Sequence, residues 1–321
     1  MLSALLALVG AIVYGAADFF GGLAAKRLRS IVVTAVAAAS GLVILGLAFP
    51  FIGGGWSSAD VAWGLLSGVF GVVAIALLYA CLAIGPMSIL SPLTAVVSAI
   101  APMLWGLLVD GETLSPVGYA GLGVALVAVV LVGFIPGEKV VRPSTRGLVM
   151  AVGAGLAIGA FLIVIDQTSD ESGLVPLIVN RATNTVITLV IVGVLAVRAV
   201  AKGRRAASVL DVSGLQVGAT PTGHADLEHA VAAPAGATGI PSSRARAWWL
   251  AIVCGLVDAV ANAIMLLALR SGDLSIVSAL TALYPAGTIL LAAIVLRERV
   301  AGVQWAGLAL ALIAGGMLAL A

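Results

Sequence analysis

Ten long apolar runs, separated by short polar or glycine-bearing joins, organise the 321-residue chain. A bilayer-spanning helix needs about 20 mostly apolar residues. Segments 2–23, 31–52, 60–83, 87–108, 115–135, 147–166, 174–197, 248–269, 274–296 and 301–320 meet that requirement. The joins at Gly85-Pro86 and Ser271-Gly272-Asp273 leave room only for tight turns, so the flanking spans are expected to form hairpins. Prolines 86, 92 and 102 are expected to interrupt the fourth span, and Pro285 the ninth. One stretch, 198–247, breaks the pattern. It is polar, rich in Gly, Ala, Pro and Ser, and lacks apolar periodicity, so it reads as a flexible loop. The first run starts at Leu2 with no basic region before it and extends beyond a signal peptide's apolar core, so it reads as the first helix.

Two of the apolar stretches repeat each other. The first, from Gly85 to Gly121, contains Ser88-Ile89-Leu90-Ser91-Pro92-Leu93-Thr94-Ala95. The second, from Gly272 to Gly307, contains Ser275-Ile276-Val277-Ser278-Ala279-Leu280-Thr281-Ala282. A one-residue slip then aligns Glu112 with Glu298 and Gly121 with Gly307. The expected fold is therefore all-α and integral to the membrane, with ten transmembrane helices as two five-helix repeats. One repeat covers 1–136 and the other 146–321, interrupted by the loop. Five is odd, so the second copy enters the membrane from the opposite side and the repeats have inverted topology. Duplication of this kind is a transporter signature.

Composition sharpens the class. Hydrophobic residues make up 62% of the chain and charged residues 9%, with a mean hydropathy of +1.22. Soluble domains carry about 25% charged residues. Gly64-x-x-x-Gly68 and Gly155-x-x-x-Gly159 suit close helix–helix packing. The net charge of +2 gives no reason to expect a nucleic-acid partner. Cys81 and Cys254 lie in apolar runs and are expected to be reduced. His224 and His229 stand beside Asp226 and Glu228 in the polar loop, where a solvated patch is the expectation rather than a metal site. There is no Gly-x-x-x-x-Gly-Lys-Ser/Thr phosphate loop, no metal constellation in the spans and no basic group there to activate a serine. Neither enzymatic chemistry nor a cofactor is expected.

Ionisable residues inside a span are costly and mark candidate sites. Asp18, Arg181 and Asp258 are the clear cases. Asp258 lies near the middle of the eighth span, with Asn262 one turn along the same face. A carboxylate removed from water is held less firmly in its charged form, so Asp258 is a candidate proton carrier or partner for a substrate ammonium. A structural ion pair with Arg181 is the competing reading; a pair facing lipid or sealed dry would remove the proposed site. Asn180, Arg181 and Asn184 form a polar stripe in the seventh span, where Arg181 is suited to a substrate carboxylate. An acid and a base facing one cavity would suit a zwitterion. Tyr14 and Asp18 read as a cavity-lining pair, or Asp18 as an interfacial acid meeting Lys26 or Arg27. Tyr79 and Tyr284 are further substrate-contact candidates, although buried tyrosines often only satisfy a carbonyl. Glu112 and Glu298 are expected to cap helices or pair with local basic groups.

Tyr14-Gly15-x-x-Asp18-Phe19, the turn after Leu78-Tyr79-Ala80-Cys81-Leu82-Ala83, and Asp110-Gly111-Glu112-Thr113-Leu114-Ser115-Pro116 together resemble the EamA domain of the drug/metabolite transporter superfamily. Ser275 to Pro285 and Arg297-Glu298-Arg299 repeat the pattern. The resemblance implies a multi-pass plasma-membrane secondary transporter that exports small metabolites, amino acids or drugs by alternating access, as a monomer or homodimer, with proton coupling as a further expectation. Its partners would be a small-molecule substrate and the lipid bilayer. A passive channel, a non-transporting scaffold and a lipid-modifying factor are the alternatives.

Charge also predicts orientation. Fourteen Lys and Arg residues follow spans 1, 5, 7 and 9 or begin the spans after them, and only Arg270 lies on the opposite side. Basic residues favour the cytoplasm, which puts both termini outside. The family resemblance implies termini inside. A C-terminal alkaline phosphatase fusion is expected to be active and a fluorescent-protein fusion dark; cytoplasmic fluorescence would reverse the assignment.

Overall fold

The computed structural model describes residues 1–25, 27–84, 87–133, 144–210, 243–296 and 301–320, with the side chains of 79–89, 91, 92 and 296 left out of the description. Regular structure among these residues is helical: α1 (Leu2–Ala25), α2 (Ser30–Ile52), α3 (Ser58–Ile84), α4 (Met87–Leu108), α5 (Pro116–Val132), α6 (Thr145–Asp166), α7 (Val175–Ala201), α8 (Arg244–Leu269), α9 (Leu274–Thr281), α10 (Tyr284–Leu291) and α11 (Gly302–Ala319). Eight spans are long and apolar enough to cross a bilayer, with α9 and α10 forming one of them. Leu93–Leu108 in α4 and Pro116–Val132 in α5 are apolar but shorter. The chain is an all-α, multi-pass membrane protein.

Eight positions form a ring. Going round, α1 packs on α8, α8 on α2, α2 on α7, α7 on α3, α3 on α6, α6 on α4, α4 on α9, and α9 with α10 returns to α1. The pair α5 and α11 packs outside it. Shifting each helix by five positions exchanges these pairings: α1 with α8 becomes α6 with α3, and α2 with α8 becomes α7 with α3. Most of the extensive contacts run between the first five helices and the rest, so the sequence halves interleave.

Small residues set the crossings, because between apolar helices in lipid it is close packing that favours association. A Cβ on Gly255 of α8 would overlap the Ala37 carbonyl oxygen and the Ser40 hydroxyl of α2. Ser40 Oγ donates across this crossing to the Ile252 carbonyl, 3.2 Å away. At the α1–α10 crossing, a Cβ on Gly287 would sit 2.6 Å from the Ile12 carbonyl oxygen. Gly64 and Gly68 face Val179 and Thr183 of α7, while Gly155 and Gly159 face Val97 and Ala101 of α4.

The breaks differ from those expected. α4 runs unbroken from Met87 to Leu108 through Pro92 and Pro102. Gly159 makes room for the Pro102 ring, whose Cδ would lie 2.9 Å from a Cβ there. Pro86 lies outside the described residues. The ninth span does break, at Ala282-Leu283, and Pro285 falls in the first turn of α10, where its missing N–H costs least. A π-helical segment, Ala292–Leu296, follows α10. The polar loop is also shorter than expected. α7 continues to Ala201, Ala206–Val209 forms a 3-10 turn, and α8 begins at Arg244, capped by Ser243. His224 and His229 lie outside the described residues.

The face that carries the chain termini is strapped together. Gly55 N donates to the Glu171 carbonyl at 2.7 Å, and Leu174 N to the Gly53 carbonyl at 3.2 Å. Asp60 accepts from the Ser169 N–H and hydroxyl, both at 2.8 Å. Arg270, just past α8, donates through Nη2 to the carbonyls of Ser169 and Gly173, each at 3.1 Å, and to Ser172 Oγ at 2.9 Å.

Gly255→Ala is expected to lower stability by about 1–3 kcal/mol through overpacking. Gly193→Ala in α7, where a Cβ would meet nothing within 4 Å, is the control and is expected to be neutral or mildly stabilising. Unfolding midpoints in detergent measure both; equal midpoints would refute the tight α2–α8 crossing.

Candidate functional site

Charge placement defines the site. Arg181 sits in the second turn of α7, and Asp258 near the middle of α8. The two helices are separated by α2, yet the guanidinium and carboxylate form an ion pair. Gly41 of α2 lies beside the Arg181 stem: a Cβ at 41 would stand in ordinary contact with Arg181 Cδ and Ala259 Cβ, each 3.5 Å away, and closer, at 3.1 Å, to the Gly255 carbonyl oxygen. Arg181 is 1% exposed and Asp258 0% exposed, so the pair is sealed. That is the arrangement of a structural ion pair, and it counts against the substrate or proton role expected for Asp258 and Arg181 from the sequence. One property goes beyond it. Arg181 Nε and Nη1 are buried and make no hydrogen bond among the described residues.

α1 completes the charged cluster. Tyr14 and Asp18 are buried one turn apart, and the charges of Asp258, Arg181 and Asp18 all act on the Tyr14 phenol. Its hydroxyl lies 3.4 Å from Met265 Sδ of α8. Cys254, also on α8 and a free thiol, feels the same three charges. Two carboxylates and one guanidinium thus share the region where α1, α8 and α7 approach.

The asparagines divide differently from the sequence pattern. Asn180 Nδ2 donates to Ser67 Oγ of α3 at 2.9 Å, and Asn184 Nδ2 donates to Asn180 Oδ1 at 3.2 Å. Asn180 therefore ties α7 to α3, and Asn184 bonds to it along α7. Asn262 Nδ2 donates to the Asp258 carbonyl of its own helix at 2.7 Å, while its Oδ1 is buried without a hydrogen bond among the described residues. Tyr284 is buried at the start of α10, where its carbonyl oxygen lies 2.5 Å from the Cβ position of Gly15. The Tyr79 side chain and Cys81 thiol lie outside the description.

Several contributors escaped sequence reasoning. Thr281, the last residue of α9, and Ser275 are buried with hydroxyls that make no hydrogen bond among the described residues. Thr288 donates to the Gly15 carbonyl at 3.0 Å. The repeated Ser/Thr pattern marked the first two but gave them no role. Glu112 caps α9: Leu274 N and Ser275 N donate to its two carboxylate oxygens at 2.6 and 3.0 Å. Glu298 lies outside the described residues. No group of three His, Cys, Asp or Glu residues placed to hold a metal occurs among the described residues.

The fold and its buried charges define a multi-pass membrane protein with a polar centre. The EamA-like transporter family profile matches residues 1–134 and 230–320, and the chain belongs to that family. A crystal structure of another protein superposes with a TM-score of 0.63 at 14% identity, covering 99% of this chain and 98% of that one. At that identity the likeness shows the fold. No curated protein matches the chain.

Glu112→Gln is expected to cost about 0.5–2 kcal/mol, since a charged acceptor at a helix N-terminus is lost. The readout is the thermal midpoint in detergent. A midpoint equal to that of Gly193→Ala would show that the cap adds no stability.

Proposed function

We propose that the chain is a secondary active exporter of small zwitterionic metabolites such as amino acids, working by alternating access. The buried Arg181–Asp258 pair carries this reading. Each partner matches one end of a zwitterion: the guanidinium suits a carboxylate and the carboxylate suits an ammonium. In this reading the protein's own charges neutralise each other until substrate replaces both. The unused Nε and Nη1 donors of Arg181 support the idea that its hydrogen-bonding capacity is reserved.

Asp258 or Asp18 would carry the coupling proton. The groups facing Asp258 are Arg181 from α7, Tyr14 and Asp18 from α1, and Cys254 from its own helix. The exchange of helix pairings on a shift of five supports two inverted repeats about an axis in the membrane plane. Because the halves interleave, the rocking bodies would each contain helices from both. The break between α9 and α10 beside Gly15 supplies a hinge next to Tyr14.

A second reading has its own support, since a sealed pair is also what a purely structural bridge looks like. The two readings separate in one experiment. Removing one partner of a buried pair costs about 3–5 kcal/mol, whereas replacing both by apolar residues of similar volume is often neutral. Asp258→Asn and Arg181→Gln should each destabilise the protein and abolish pH-dependent transport of amino acids in vesicles. The double variant Arg181→Met, Asp258→Leu should regain stability but not transport. Recovery of transport in the double variant would make the pair structural and remove the proposed site.

A further inference from the structure

A groove of about 360 Å³ lies between α2 and α8 on the outside of the ring, toward the face with the chain termini. Its walls come from Ile44 to Ile52 of α2 and from Ala259 to Leu267 of α8, and they are almost wholly apolar. Val260, Leu267 and Ile52 are exposed along it, at 48%, 53% and 64%. The one charged residue in its lining is Arg270, at the end nearest the membrane surface.

Its dimensions match one leaflet. From Val260 to Arg270 is ten residues, or about 15 Å of helix. Half the hydrocarbon thickness of a bilayer is also about 15 Å. The groove therefore starts near the middle of α8 and ends where lipid headgroups begin. Arg270 is anchored there through Nη2, by Ser169, Ser172 and Gly173. Asp170 lies on the Nε side, 3.8 Å away, and is 84% exposed. None of these contacts uses Nη1, so that edge of the guanidinium remains available to an acceptor.

We propose that this groove is a phospholipid site: one acyl chain lies between α2 and α8, and the lipid phosphate accepts a hydrogen bond from Arg270. The apolar walls remove the chain from competition with other lipids only weakly, since bulk lipid is equally apolar. Selectivity comes from the phosphate at a fixed depth above a chain-length slot. Phosphate recognition by Arg is charge-assisted.

Native mass spectrometry of the full chain in mild detergent tests the site, with palmitoyl-oleoyl phosphatidylglycerol and the matching diacylglycerol as probes. A retained phosphatidylglycerol adduct is expected, roughly tenfold stronger than the diacylglycerol adduct, as the loss of one hydrogen bond to a charged group implies. Arg270→Gln should reduce phosphatidylglycerol to the diacylglycerol level, and Arg270→Lys should restore part of the difference. Ala263→Trp fills the groove, leaves the Arg270 bonds intact and should remove both adducts. Inorganic phosphate should fail to compete at millimolar concentration; competition would mean that a free anion, not a lipid, occupies Arg270. Equal binding of the two lipids, or adducts unchanged by Ala263→Trp, would overturn the proposal. If Arg270→Gln fails to fold, the Ala263→Trp and diacylglycerol arms still decide it.

Discussion

A guanidinium as deeply buried as that of Arg181, 1% exposed, is tolerable in its charged form only beside a counter-charge. Removing an ion from water costs several kcal/mol even after the protein relaxes. Asp258 supplies the counter-charge, and it does so from a helix that is not a ring neighbour of α7. Much of the local geometry follows from that demand. α2 passes beside the pair, and its Gly41 lies close to the Gly255 carbonyl of α8 and next to the Arg181 stem. α8 must lie close enough to α2 for the reach to suffice, and the Gly255 crossing with Ala37 and Ser40 draws it in.

The second theme is interleaving. Helices adjacent in sequence pack less on each other than on helices from the other half. Glu112 shows the same logic at a turn: a carboxylate from the first half satisfies the exposed N–H groups that begin α9 in the second. Helix ends in a low-dielectric surround need such partners, and here each half depends on the other for them. Motion of one sequence half as a unit would have to break contacts such as α3 with α6 and α1 with α8.

Much of this was legible in the chain because hydrocarbon imposes few options. Apolar runs marked the spans to within a few residues. The rarity of charge inside those runs singled out Asp18, Arg181 and Asp258, all three of which are buried. The Gly-x-x-x-Gly pairs marked two real crossings. What sequence could not supply were partners across space. Asn180 stands next to Arg181 in sequence, yet it bonds to Ser67 on α3, because α7 is flanked by α3 on one side and α2 on the other. Prolines pointed to breaks in both α4 and the ninth span; α4 continues through Pro92 and Pro102, whereas the ninth span does break, just before Pro285. A proline's effect depends on what its ring meets, and Pro102 meets Gly159.

The consequence of Gly41 reaches furthest. A Cβ there would press on the Gly255 carbonyl oxygen of α8, 3.1 Å away, and would only touch Arg181 Cδ at an ordinary 3.5 Å. The two charges meet each other directly, so α2 does not hold them apart. It lines the bridge, bringing no charge of its own, and what it limits is how closely α8 can lie against it. The electrostatic centre thus borrows its wall from a helix that takes no part in the charge pairing.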